Sequence, residues 1–300
     1  MTKPRSPMRW AIDISSVLNK VLGTEHFPIK VATIAQEYSR QLFPNDPITL
    51  IKGDALSSFD GALFRAPSGA NGWGIIYNSA ITSKGRINFT LAHEFGHYLI
   101  HRLAHPQGMR CGQQDVVRWE STYRQLEHEA NTFAAYLLMP LDDYRRQIDS
   151  SSAVDLDAIA HCADRYEVSL IAATLRWLEY TERRAVLVVS RDEFILWARS
   201  SKAALRTGAF FRTSRGPIPI PEGSVAARQS ITSAPRQGTE LPAGVWFAEP
   251  CTEMTIFSEN YDFTISLLQL ESDVGRSYLN DDDEEQTDDL ASVIRRNHGL

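Results

Sequence analysis

The pattern His-Glu-x-x-His, set inside an apolar run, constrains this chain more than any other feature. The stretch reads Phe89-Thr90-Leu91-Ala92-His93-Glu94-Phe95-Gly96-His97-Tyr98-Leu99-Ile100. At about 3.6 residues per helical turn, His93 and His97 fall one turn apart on a single face. Two imidazoles so placed converge on one divalent cation, with Glu94 beside them as general base. Zinc in a hydrolytic site keeps one coordination position for water and lowers that water's pKa toward about 7. Glu94 would take the proton as the water attacks a carbonyl and pass it to the leaving amine. The pattern also arises by chance, so its surroundings matter. Leu91, Phe95, Tyr98, Leu99 and Ile100 give the helix an apolar surface to bury, and Gly96 permits close approach of another backbone.

Two histidines and a water leave one protein ligand to be found. The segment Leu126-Glu127-His128-Glu129-Ala130-Asn131-Thr132-Phe133-Ala134-Ala135-Tyr136-Leu137-Leu138-Met139-Pro140 is a second helical pattern, stopped by Pro140. Ala130, Phe133, Ala134 and Leu137 form an apolar flank whose small alanines allow tight packing on the His93 helix. Glu127 or Glu129 supplies the third ligand, but not both, because they point about 200° apart around the helix. Glu127 is the preferred choice, with Asn131 one turn on as hydrogen-bond partner to a ligating histidine. His101 sits about 12 Å along the axis from His93, too far to be a ligand. The longer three-histidine signature of another metalloprotease class is missing as well. His128 is expected to face solvent.

Together the two segments, HEFGH and EHEANTFAAYLLMP, resemble the ImmA/IrrE family of metallopeptidases. The resemblance covers about residues 30–180 and is weak beyond them. It implies a minimal, gluzincin-like fold with His93, His97 and Glu127 as metal ligands and Glu94 as catalytic acid/base. It also implies a protein substrate, since better-known members cleave helix-turn-helix repressors and so release stress-response or mobile-element genes. Zinc is the expected ion, although carboxylate and imidazole ligation also admits Mn²⁺.

The rest of the chain reads as an ordinary globular protein, with 43% hydrophobic and 23% charged residues. No apolar stretch reaches the roughly 18 residues of a membrane span, and the basic start has no apolar core behind it. Cys111, Cys162 and Cys251 are few, odd in number and far apart, which suits a reducing cytoplasm and offers no paired-cysteine metal site. Cys111 reads as a plain loop thiol. The formal charge is −6, and the run from Asp281 to Asp289 contributes −7 of it, leaving a nearly neutral body. That run reads as a solvated, disordered tail.

In chain order, amphipathic helices fit Trp10 to Leu22, ending at Gly23, and Ile29 to Leu42. Strands fit Ile48–Lys52, Gly61–Arg65 and Gly74–Asn78. Ile75, Ile76, Tyr77 and Asn78 are the choice for an edge strand that pairs with an extended substrate backbone. Asn88 or Thr90 is the expected cap of the metal helix, and residues 107–112 read as a loop. After Pro140 a short helix reaches Ile148, and two more, from Leu156 and from Leu170, have the rhythm of a helix-turn-helix. From Ala185 onward the pattern turns to strands, at Ala185–Val189, Phe194–Ala198, Val245–Phe247, Glu253–Phe257 and Thr264–Leu270. Ser200 to Arg215 is basic and reads as a solvated face.

The expected fold class is therefore α+β. A zincin-like domain over 1–150 is followed by a helix-turn-helix-like segment over 151–184. A β-rich domain of GAF-like layout then spans 185–278, and the acidic tail 279–300. The leading functional reading is a cytoplasmic, single-metal endopeptidase acting on a regulatory protein. The competing one is a DNA-binding regulator or ligand sensor that keeps the metal fold as scaffold. Only Arg176 is a certain basic residue on the second of the paired helices, which speaks against specific DNA contact.

Overall fold

Local signals account for most elements of the computed structural model, which describes residues 5–67, 71–112, 120–228, 237–258 and 262–271. Its contacts divide the chain into two units. Met1–Asp143 and Arg165–Ser169 make up the first; Tyr144–Asp164 and the described residues from Leu170 make up the second.

In the first unit, α1 (Pro7–Leu22) starts three residues earlier than expected. The Ser6 hydroxyl accepts from the Arg9 amide, and a proline occupies the first turn. Gly23, at φ 78°, ends the helix in the left-handed region that favours glycine. α2 (Val31–Leu42) is followed by β1 (Ile48–Asp54), and the Ile48 amide donates to Ser39 Oγ at 2.9 Å. Then come β2 (Phe59–Arg65), β3 (Trp73–Asn78), α3 (Lys84–His101), β4 (Gly108–Gly112) and α4 (Glu120–Leu138).

Two expectations are corrected by the sheet, whose order is β1-β3-β2-β4. Ile75, Ile76, Tyr77 and Asn78 lie in an interior strand, paired in parallel with β1 and antiparallel with β2, so their backbone is not an open edge. Ile75 is fully buried, as an interior strand requires, and Asn78 turns its side-chain oxygen to the Ala80 amide. The edges are β1 and β4, and β4 occupies the stretch expected to be a loop, pairing with β2 from Phe64↔Gly108 onward.

α3 also begins earlier than expected. Ser83 caps it by accepting from the Arg86 amide, and Asn88 and Thr90 lie within the helix. Asn88 donates instead to the Ile29 carbonyl. At the other end of α3, Arg102 donates to the Tyr98 carbonyl and stacks over Phe43 at 3.9 Å. Asp46 binds both Arg102 and Arg65, and its carbonyl accepts from Tyr98 Oη at 2.7 Å. These contacts fix the α2–β1 turn against the helix.

α5 (Leu141–Gln147) crosses the boundary between the units, and α6 (Leu156–Tyr166) returns its end to the first. There the buried Asp143 carboxylate accepts from Tyr166 Oη at 2.7 Å and from Arg165 Nε at 2.9 Å. Glu167, at φ 51°, turns the chain, and its carbonyl passes so near Gly85 that a Cβ there would lie 2.6 Å away.

The second unit contains α7 (Leu170–Leu178), β5 (Ala185–Arg191), β6 (Phe194–Ser200), α8 (Lys202–Arg206), β7 (Ile218–Pro219), β8 (Thr239–Leu241), β9 (Cys251–Ser258) and β10 (Phe263–Leu270). The strands form one antiparallel sheet in the order β7-β6-β5-β10-β9-β8, so the first long strand pairs with the last. The basic stretch after Ser200 contains α8, capped by Ser201, which the charge pattern had hidden.

No strand forms at Val245–Phe247. Trp246 instead packs in the core and donates its indole N–H to Glu253 Oε2 at 2.8 Å. Glu253 is fully buried and also accepts from the Val225 and Ala226 amides, Thr255 and Ser266. A buried carboxylate persists when its lone pairs are filled in this way. The Cys111 side chain and the run Asp281–Asp289 lie outside the described residues.

Candidate metal centre

The site is built where α3 and α4 touch, and a missing side chain sets their distance. A Cβ on Gly96 would meet Phe133 Cδ1 at 2.9 Å and the Ala130 Cα and carbonyl oxygen at 3.2 Å. Only glycine at 96 lets α4 lie this close, and the small Ala130 and Ala134 complete the contact. From Thr90 to Leu99 every residue of α3 is buried, so its polar members are held by packing as well as by hydrogen bonds.

On this frame His93, His97 and Glu127 meet. His93 Nε2 lies 2.9 Å from His97 Nε2, and the Glu127 carboxylate lies 3.6 Å from the first and 3.4 Å from the second. All three side chains are buried, and their donor atoms lie within 4.8 Å of one another. Ligand bonds of about 2.0–2.1 Å at tetrahedral angles separate neighbouring donors by about 3.3 Å. The spacing and the chemistry of two imidazoles and one carboxylate therefore fit a zinc-sized cation.

Neighbouring groups fix the rings. Asn131 Oδ1 lies 2.8 Å from His93 Nδ1, so that nitrogen donates and Nε2 presents a lone pair. Asn131 is thus the hydrogen-bond partner expected from its place one turn after Glu127. The alternative between Glu127 and Glu129 resolves in the geometry. Glu127 faces the imidazole pair, while Glu129 Oε2 lies 2.9 Å from His101 Nε2.

His101 is buried, and its Nδ1 lies 3.0 Å from His97 Nδ1. Burial, opposed by Glu129, lowers the pKa of His101. For Glu129 burial acts upward, but hydrogen bonds from His101 and Gln125 outweigh it and hold the carboxyl below its ordinary range. His128 is exposed, as expected.

Glu94 is fully buried on the same helix. Its neighbour across the sheet is one that sequence reasoning missed: a Cβ on Gly61 of β2 would fall 3.1 Å from Glu94 Oε1 and 2.5 Å from Thr90 Cγ2. A glycine inside a strand marks a close approach, and that was the available signal. One residue earlier, Asp60 takes a bidentate pair from Arg86 at 2.8–3.1 Å, joining β2 to the first turn of α3. Ile75, Ile76, Tyr77 and Asn78 belong to the interior strand described above and are not brought to the donor set as an open edge.

Residues 48–178 match a peptidase family model described as the IrrE N-terminal-like domain. The matched stretch includes both the His93 motif and the Glu127 motif, in agreement with the resemblance those segments carry. No curated protein matches the chain. Among the described residues, no helix is long and apolar enough to cross a membrane.

Proposed function

We propose that the IrrE N-terminal-like domain of residues 48–178 is the catalytic centre of a zinc-dependent endopeptidase, with His93, His97 and Glu127 as ligands and Glu94 as general base. The observation that carries this reading is the buried convergence of two imidazoles and one carboxylate, with a further buried carboxylate next in sequence to the first histidine. A bound zinc ion would supply Lewis acidity and an activated water; Mn²⁺ suits the same donors. The chain's own contributions follow from its geometry. Asn131 accepts from His93 Nδ1, so that Nε2 turns its lone pair toward His97 and Glu127. Glu94 takes a proton from the attacking water and returns it to the leaving amine, a role usually worth about 10²–10⁴-fold. The apolar packing of α3 and α4 keeps both steps away from bulk solvent.

The substrate we infer is a regulatory protein, a helix-turn-helix repressor, in the cytoplasm. That choice rests on the family resemblance and on the sparse, scattered cysteines. The zincin-like description of the first unit and the GAF-like description of the second belong to the same proposal. The latter is supported by an antiparallel sheet whose first long strand pairs with its last. The competing DNA-binding reading is disfavoured by α7. Residues Ile171–Leu178 are all buried, Arg176 among them, so that helix has no open face to lay in a groove.

The test is incubation of the zinc-loaded full chain with a fluorogenic peptide library and with helix-turn-helix repressors from the same genome. Discrete cleavage that Glu94→Gln abolishes, with zinc retained, is the expected result. Undiminished cleavage by that variant would refute the role of Glu94. No cleavage of either substrate by the zinc-loaded wild type would refute the endopeptidase.

A further inference from the structure

The two helices that bring the donor set together also bring together a second pair of side chains, one from each helix. His101 follows His97 by four residues on α3, and Glu129 follows Glu127 by two on α4. The result is a continuous path: His97 Nδ1 to His101 Nδ1 at 3.0 Å, His101 Nε2 to Glu129 Oε2 at 2.9 Å, and Gln125 Nε2 to Glu129 Oε1 at 3.0 Å. The His101 side chain is only 5% exposed, and Glu129 at the outer end is 25% exposed.

We propose that His101 and Glu129 are positioning residues which hold His97 as its Nδ1–H tautomer, leaving its Nε2 lone pair facing His93 and Glu127. The inference rests on the metal-site reading above and extends it to residues that touch no ligand-binding atom. Two imidazole nitrogens 3.0 Å apart share one proton, which sits on either ring. If His101 Nδ1 carried it on a neutral ring, His101 Nε2 would present a lone pair to the Glu129 carboxylate, two acceptors face to face. The carboxylate therefore draws the His101 proton to Nε2. His101 Nδ1 then accepts, His97 Nδ1 donates, and His97 Nε2 presents its lone pair beside His93 and Glu127. The carboxylate acts on His97 through an intervening ring, whereas His93 is set directly by the Asn131 amide. Outer partners of this kind typically carry about 10–100-fold in metal affinity.

Zinc affinity of the full chain, measured by competition with a chromogenic chelator, tests this without any substrate. Glu129→Ala and His101→Leu should each weaken zinc binding about tenfold or more. His101→Asn should restore most of the loss seen with leucine, because its side-chain oxygen can accept the same His97 proton. In that background Glu129→Ala should add nothing, since asparagine no longer transmits the carboxylate's effect. A packing role would produce the reverse order, with buried leucine tolerated better than asparagine. Should His101→Leu fail to fold, Glu129→Ala and the asparagine pair still decide the matter.

Long-range ¹H–¹⁵N spectra of the zinc-loaded chain give a direct readout, expected to show His101 protonated at Nε2 alone. Finding His101 protonated at Nδ1, or wild-type affinity in Glu129→Ala, would overturn the inference. If His97→Ala and Glu127→Ala meanwhile lose zinc, the metal site itself stands. If those two variants keep zinc at wild-type affinity, the metal-site reading fails and this one with it.

Discussion

Alanine at position 61 would test how tightly the sheet holds Glu94. The new Cβ would sit 2.5 Å from Thr90 Cγ2, against an ordinary carbon–carbon separation of about 3.5–4.0 Å, a deficit of about 1 Å. β2 cannot retreat, because it is hydrogen-bonded to β3 on one side and β4 on the other. α3 must yield instead, and Glu94, whose Oε1 and Cγ lie 3.1 and 3.2 Å from the same Cβ, moves with it. Overpacking of this size costs about 1–3 kcal/mol. The stiffer unfolded chain offsets about 0.4–1 kcal/mol, since Gly61 is not in the left-handed region. The net loss expected in urea denaturation is about 1–2 kcal/mol.

A reacting group displaced by about 1 Å loses about 10²-fold in rate, with zinc affinity unchanged because Gly61 crowds neither histidine. Thr90→Ser removes the clashing methyl, at a cost of about 1 kcal/mol on its own. The double variant should therefore be no less stable than Gly61→Ala alone and should regain part of the cleavage rate. Simple additivity of the two losses, or undiminished cleavage in Gly61→Ala, would refute the contact as the cause.

Three further outcomes are expected. Glu253→Gln should destabilise the second unit by about 2–4 kcal/mol, because one carboxylate oxygen becomes a donor facing existing donors; hydrogen exchange over residues 251–258 reads this. Chelation of zinc should remove about 2.7 kcal/mol of protection from α3 and α4 when the ion was a hundredfold above its Kd, leaving the six-stranded sheet unaffected. Tyr98, whose phenol burial pushes up to about 12, stays neutral in the fold while the unfolded phenol ionises near 10. Stability should thus be intact below pH 10 and fall by about 1.4 kcal/mol per unit as pH rises toward 12. Tyr98→Phe should lessen the slope of alkaline denaturation curves by that amount, leaving the share of other buried phenols such as Tyr180.

The donor set was legible because helical period alone fixes which side chains share a face: His93 with His97, and Glu127 apart from Glu129. The strands of the first unit were legible from their apolar runs between turn residues. Strand order was not, since it is decided by pairings across dozens of residues; β3 is interior because β1 pairs with it in parallel, past the intervening β2. Val245–Phe247 looked like a strand by composition, but Trp246 is turned inward by a carboxylate seven residues away. Capping by Ser83 escaped notice because Asn88 and Thr90 offered the same chemistry nearer the motif. Gly61 meets Glu94, and Glu129 meets His101, only through the fold, and periodicity carries no trace of such contacts.

The polypeptide leaves the first unit at Asp143, comes back for Arg165–Ser169 and leaves again. Neither unit is therefore a contiguous stretch of gene. Recombination that swapped the C-terminal half at residue 150 would discard Arg165 and Tyr166, the partners of Asp143, along with the turn that closes over Gly85. Grafts that keep the first unit whole would have to carry their junction past residue 169.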